Sequence, residues 1–93
     1  MNQNEFESML QAEKFQPPVP VQRDAGYKMG EHSHDFDACA LIIAGEFTLV
    51  VNGIATSYRA GDIFRLPART PHLESAGSGG ASYLSGRRPT VAP

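Results

Sequence analysis

Glycine and proline constrain this chain more than any other feature: nine Gly and seven Pro occupy 16 of 93 positions. Proline removes a backbone donor and fixes φ, while glycine reaches conformations other residues avoid, so the elements between them are short and joined by turns. Length sets a second bound. Ninety-three residues hold one core, because two would leave each half below the size that folds unaided. A chain this small buries only about 60–65% of its unfolded surface, so its core must be economical or shared with a partner.

Several function classes are excluded early. Eight basic and ten acidic residues give a net charge of −2, which predicts neither nucleic acid nor an anionic membrane as partner. Cys39 stands alone, so there is no intrachain disulfide framework and no cysteine-based zinc knuckle. The longest apolar run, Ala38–Ala44, is far below the ~20 residues of a membrane span. Residues 1–15 carry Glu5, Glu7 and Glu13 without an apolar signal core, so a cytoplasmic protein is the expectation.

Residues 4–15 predict a short amphipathic helix, with Asn4 as N-cap, Glu7 completing a capping box, and Phe6, Met9 and Leu10 on one face. Pro17, Pro18 and Pro20 end it. Strands are expected from residue 19: Val19–Arg23, Tyr27–His34, Asp37–Ile43, Glu46–Val51, Ile54–Arg59, Ile63–Leu66, one from His72, and Ala81–Ser85. Ala44-Gly45 reads as a tight hairpin, Asn52-Gly53 as a type I′ turn, and Gly77–Gly80 as a flexible break. The chain thus divides into a helix and proline-rich connector (1–18), a β-barrel (19–86) and an irregular tail (87–93). The fold class is all-β, a small antiparallel barrel or jelly roll with one N-terminal helix.

The three histidines carry the chemistry. His32 and His34 are two apart in an extended segment, which puts both rings on one face roughly 6.5–7 Å apart. His72, opening a later strand, is the one remaining histidine that can join them. Imidazole suits Zn, Cu, Fe and Ni, and three such ligands leave positions open for water or substrate. Taken alone, His-x-His reads equally well as a surface coincidence. Glu74 lies two residues after His72 and shares its face, either as a further ligand or acid/base group or as a solvent-facing strand residue. Asp35 and Asp37 have the opposite parity to His34 and are expected to point away. Tyr27, Tyr58, Tyr83, Phe36, Phe47 and Phe64 are expected in the core, Cys39 as a buried inert thiol, and Arg59, Arg65 and Arg69 on a solvated face.

These surroundings resemble the cupin family. Gly26, His32, His34, Ala38 and Gly45 follow the register of its first motif, G-x5-H-x-H-x3–4-E-x6-G. Gly61, Pro67, Arg69, His72 and Ala76 follow that of its second, G-x5-P-x-G-x2-H-x3-N. Ala38 stands where the family has its metal-binding Glu, Arg69 replaces a turn Gly, and Ala76 a terminal Asn. The resemblance implies a double-stranded β-helix and a mononuclear site of His32, His34 and His72; Glu74, by its spacing from His72, is the candidate compensating carboxylate or acid/base group. The divalent transition metal is Zn, Ni, Fe or Mn. Losing one negative ligand makes the site more positive, which favours a small anionic molecule. Its chemistry, oxygenase or isomerase, is left open, and so are two alternatives: a non-catalytic small-ligand sensor and a structural cupin with a degenerate site. The small barrel, its sheet edges and the resemblance together predict a homodimer.

Overall fold

The computed structural model describes residues 1–90. Helix α1 spans Gln3–Ala12, and strands follow as β1 (Val19–Arg23), β2 (Lys28–His32), β3 (Phe36–Val51), β4 (Ile54–Arg59), β5 (Ile63–Leu66) and β6 (His72–Pro89). All pairings are antiparallel. β3 and β6 run side by side over nearly their whole lengths and form the spine of two layers. The first half of β3 and the second half of β6 carry β5 and β1 on their flanks. The second half of β3 and the first half of β6 carry β4 and β2. The result is an all-β jelly roll whose sheet folds over on itself and stays open, since β1, β2, β4 and β5 each pair with one strand only.

Two expected breaks are corners instead. Ala44-Gly45 does not form a hairpin: β3 continues through it, bulged between Ile42 and Ala44 and between Gly45 and Phe47. Nor is Gly77–Gly80 a flexible break, because β6 is unbroken from His72 to Pro89. The strands bend together where they pass from one layer to the other, and bulges bend a strand without reversing it. Gly45 and Gly80 both have positive φ, 78° and 75°. A Cβ on Gly45 would run into the Gly80 carbonyl, and one on Gly80 into the Arg23 carbonyl. The glycines therefore mark close backbone crossing, not a turn.

Other expectations hold. Asn52 and Gly53 have φ of 52° and 76° and join Val51 to its partner Ile54. Both central residues of a type I′ turn need positive φ, and Asn-Gly tolerates it best. The helix starts earlier than expected. Asn2, not Asn4, is the N-cap, accepting from Glu5 N while the Glu5 side chain accepts from Asn2 N. The same Asn-x-x-Glu pattern occurs twice in register, and the ammonium of Met1, bonded to Gly61 O at 3.0 Å, anchors the earlier one. The helix ends at Ala12, ahead of the prolines, with Lys14 at a φ of 64°. The tail also departs from expectation. Arg87–Pro89 belongs to β6, paired with Phe36–Ala38, and Arg88 bonds Asp37 and the Glu13 carbonyl. Polar pairing there carried no apolar pattern to read. Residues 91–93 of the expected tail lie outside the described residues.

The apolar run in β3 is continuous from Ala38 to Ile42 because both faces are covered there. Ala38, Ala40 and Ile42 face the space between the layers, with Phe47, Leu49, Phe64 and Tyr83. Cys39 and Leu41 face the other way, under Phe6, Leu10 and Phe15. Alternation sorts the run into two cores. Gly86 lets the helix approach, since a Cβ there would meet Leu10 Cδ1 at 2.8 Å. The aromatics expected in the core lie in it or pack against it, and burial pushes the Cys39 thiol pKa up.

Candidate metal centre

His32 and His72 meet across the β2–β6 pairing, directly opposite one another. A bulge in β2 makes this possible, since Met29 pairs Glu74 but His32 pairs His72, so β2 holds one residue more than β6 over that stretch. Gly30 within the strand is the sequence sign of that bulge. His34 lies just beyond β2, where its carbonyl accepts from Arg69 N at 2.7 Å. Arg69 has a φ of 63°, so the loop keeps a left-handed turn without the glycine that suits it.

The rings converge. Ring centroids are 4.2 Å apart for His32–His72, 5.0 Å for His32–His34 and 5.3 Å for His34–His72. One donor nitrogen from each lies within 4.8 Å of the others. His72 is 1% exposed, and its Nε2 is buried without a hydrogen-bond partner. Backbone carbonyls settle the tautomers, because a carbonyl only accepts. His72 Nδ1 donates to Thr70 O at 2.9 Å and His32 Nδ1 to Gly30 O at 2.8 Å. In each neutral ring Nε2 is then a lone pair aimed into the cluster. His34 stacks on Phe36 at 4.8 Å. Burial above all, and then the neighbouring rings, lower its pKa and favour the neutral form.

Glu74 joins the cluster. Its Oε2 lies 3.4 Å from His72 Nε2 and 3.6 Å from His32 Nε2. A carboxylate oxygen facing two nitrogen lone pairs is repulsive unless a cation or proton lies between. Two donors on one ion at bonds of about 2.1 Å sit roughly 3.4 Å apart in a tetrahedral arrangement. The orphaned His72 nitrogen, the fixed tautomers and this spacing all fit a transition-metal ion. The other oxygen, Oε1, accepts from Tyr27 Oη at 2.6 Å. Tyr27's pKa is pushed up to about 12 by burial first and that hydrogen bond second, so the phenol remains a donor at neutral pH.

A cavity of about 160 Å³ opens from the cluster, lined by His32, His34 and Glu74 and also by Arg23, Arg87 and Ser85. Ala38, at the first-motif position of the metal-binding Glu, forms part of its wall. Asp37 lies outside it, as its parity implied, bonded to Ala68 N and Arg88. Arg59 and Arg65 sit on the outer surface with Glu46 and Glu13. Arg23 and Arg87 were missed because nothing in their local sequence marks them. They reach the cavity only because β1 and the end of β6 turn their inward faces to it.

Comparison with known proteins bears on the fold and the cluster. The cupin domain family model matches residues 21–85. An RmlC-like cupin from Shewanella frigidimarina is 25% identical with a TM-score of 0.68, over 78% of this chain and 65% of that one. KdgF from a Halomonas species is 24% identical with a TM-score of 0.69, over 80% of this chain and 68% of that one. Bacillus subtilis oxalate decarboxylase, whose Mn(II) centres have been characterised, is 22% identical with a TM-score of 0.69, over 82% of this chain and 22% of its own length. The chain thus spans about two thirds of the first two structures. No curated protein matches the sequence. The matched segment holds both histidine-bearing stretches, all of β3 and β6 as far as Ser85, and on that ground the chain belongs to the cupin family.

Proposed function

We propose that this cupin binds one divalent transition-metal ion through His32, His34 and His72, with Glu74 as the carboxylate donor, and uses the adjoining cavity to hold a small anionic molecule. The buried, unpartnered Nε2 of His72 carries the reading, because burying a polar atom without a partner costs about 1–3 kcal/mol unless something satisfies it. Zn, Ni, Fe and Mn all suit such a donor set. When bound, the ion supplies Lewis acidity or redox chemistry at positions the protein leaves open. The chain's own groups do the rest. Thr70 and Gly30 carbonyls hold the rings in one tautomer, and Tyr27 orients Glu74. The Mn(II) centres named for the oxalate decarboxylase, on the same fold, support a divalent ion at this place. The same geometry serves a sensor as well as an enzyme.

The test is elemental analysis of protein purified without a metal-affinity step. Close to one transition-metal ion per chain is expected, with His72→Ala and His34→Ala reducing occupancy by about tenfold or more and Glu74→Gln by a smaller factor. Bound metal per chain unchanged in His34→Ala would overturn the reading.

A further inference from the structure

Of the six arginines, Arg69 is exposed on a loop outside the histidine cavity, and the other five fall into two groups. Arg59, Arg65 and Arg88 each pair with a carboxylate, at 3.1, 2.7 and 2.9 Å. Arg23 and Arg87, both lining the histidine cavity, have no carboxylate within ion-pair distance among the described residues. Each is held by an aromatic ring instead. The Arg23 guanidinium lies 4.6 Å from the Tyr27 ring centre and that of Arg87 4.4 Å from the Phe36 ring centre. Arg23 is half-buried and donates through Nε to Tyr83 Oη at 3.4 Å. Its two terminal nitrogens make no hydrogen bond among the described residues.

The cavity wall carries two guanidinium groups, Arg23 and Arg87, against one carboxylate, Glu74, whose Oε1 already accepts from Tyr27. A half-buried guanidinium with free donors is the side chain best shaped to grip a planar oxyanion. Val21, Ala38, Phe64 and Leu66 form an apolar part of the wall, beside the polar Ser85, Tyr83 and the histidines. Its volume of about 160 Å³ compares with the ~150 Å³ of an apolar cavity that admits benzene.

We infer that the cavity binds a compact monocarboxylate with an apolar body, its carboxylate on Arg23 and its body against Val21, Ala38, Phe64 and Leu66, with Arg87 drawing the anion in at the mouth. This rests on the proposed function for the cavity but not for the ion. Arg23 acts whether or not the histidines are metal-loaded.

The experiment titrates butyrate and benzoate, their neutral amides butyramide and benzamide, and inorganic phosphate into the metal-free and metal-loaded protein. Each acid is expected to bind about tenfold or more tightly than its amide, in both forms of the protein. Arg23→Gln is expected to bring the acids down to the level of the amides while leaving metal content unchanged. Arg87→Gln lowers acid affinity about two- to fivefold, an effect that salt removes. Equal binding of acid and amide to the unmodified chain overturns the inference without recourse to any variant. So does phosphate binding as tightly as benzoate, and so does acid binding that needs the metal and ignores Arg23→Gln. Failure of the metal-site reading shows separately, as an unmodified protein that takes up no ion.

Discussion

Asp37 shows how a single side chain ties the ends of this chain together. Its Oδ1 accepts from Ala68 N at 2.8 Å, and its Oδ2 takes the Arg88 guanidinium at 2.9 Å, joining the start of β3, the loop after β5 and the end of β6. The Ala68 hydrogen bond first, and Arg88 second, hold its carboxyl pKa below the usual range. A depressed carboxyl stabilises the fold fully above its unfolded value, and that stability is lost as pH falls through the folded value. Chemical denaturation from pH 7 downward is therefore expected to show stability falling from about pH 4. Asp37→Asn should cost about 1–2 kcal/mol at neutral pH and flatten part of that slope. A slope unchanged in the variant would remove Asp37 from the account. Glu13, also lowered, first by its hydrogen bond to Arg65, adds a slope of the same sign that the variant leaves in place.

At the scale of elements, the helix is held by its apolar stripe more than by its length. Ten residues are marginal in isolation. Leu10, 2% exposed, fills the gap above Gly86 and packs with Cys39 and Leu41. Leu10→Ala is expected to lower unfolding free energy by about 2–4 kcal/mol and to leave the metal content of the protein intact. A loss of metal with it would mean that the outer core and the histidine cluster are coupled. The stripe of Phe6, Met9 and Leu10 was legible from periodicity alone, whereas the cap was not, because two Asn-x-x-Glu patterns lie two residues apart. The corners show the opposite case. Gly45 and Gly77–Gly80 stood out as breaks, but a glycine reports only that unusual backbone is needed. Whether the chain reverses or bends depends on which strand lies alongside, and β6 lies alongside β3 through both layers.

At the scale of the molecule, two layers with a 19 Å shortest dimension leave apolar groups outside. Val19 is 56% and Ile43 46% exposed. With the unpaired edges of β1 and β5 they support the proposed homodimer. Sedimentation at micromolar concentration is expected to give twice the chain mass of 10.1 kDa, and Ile43→Asp to shift it toward the monomer. A monomer at that concentration in the unmodified protein would end the proposal. No helix among the described residues is long and apolar enough to cross a membrane. What the sequence alone determined is the class of fold, the Asn52-Gly53 turn and the identity of the three histidines, because turn chemistry, periodicity and motif spacing are local and survive without coordinates. The tertiary structure decided what is non-local. It made corners of two glycine breaks, set His32 opposite His72 through a bulge in β2, and turned Arg23 and Arg87 into one cavity. Distances between strands are set by pairing register, and register is a property of two segments at once, which neither segment's sequence contains.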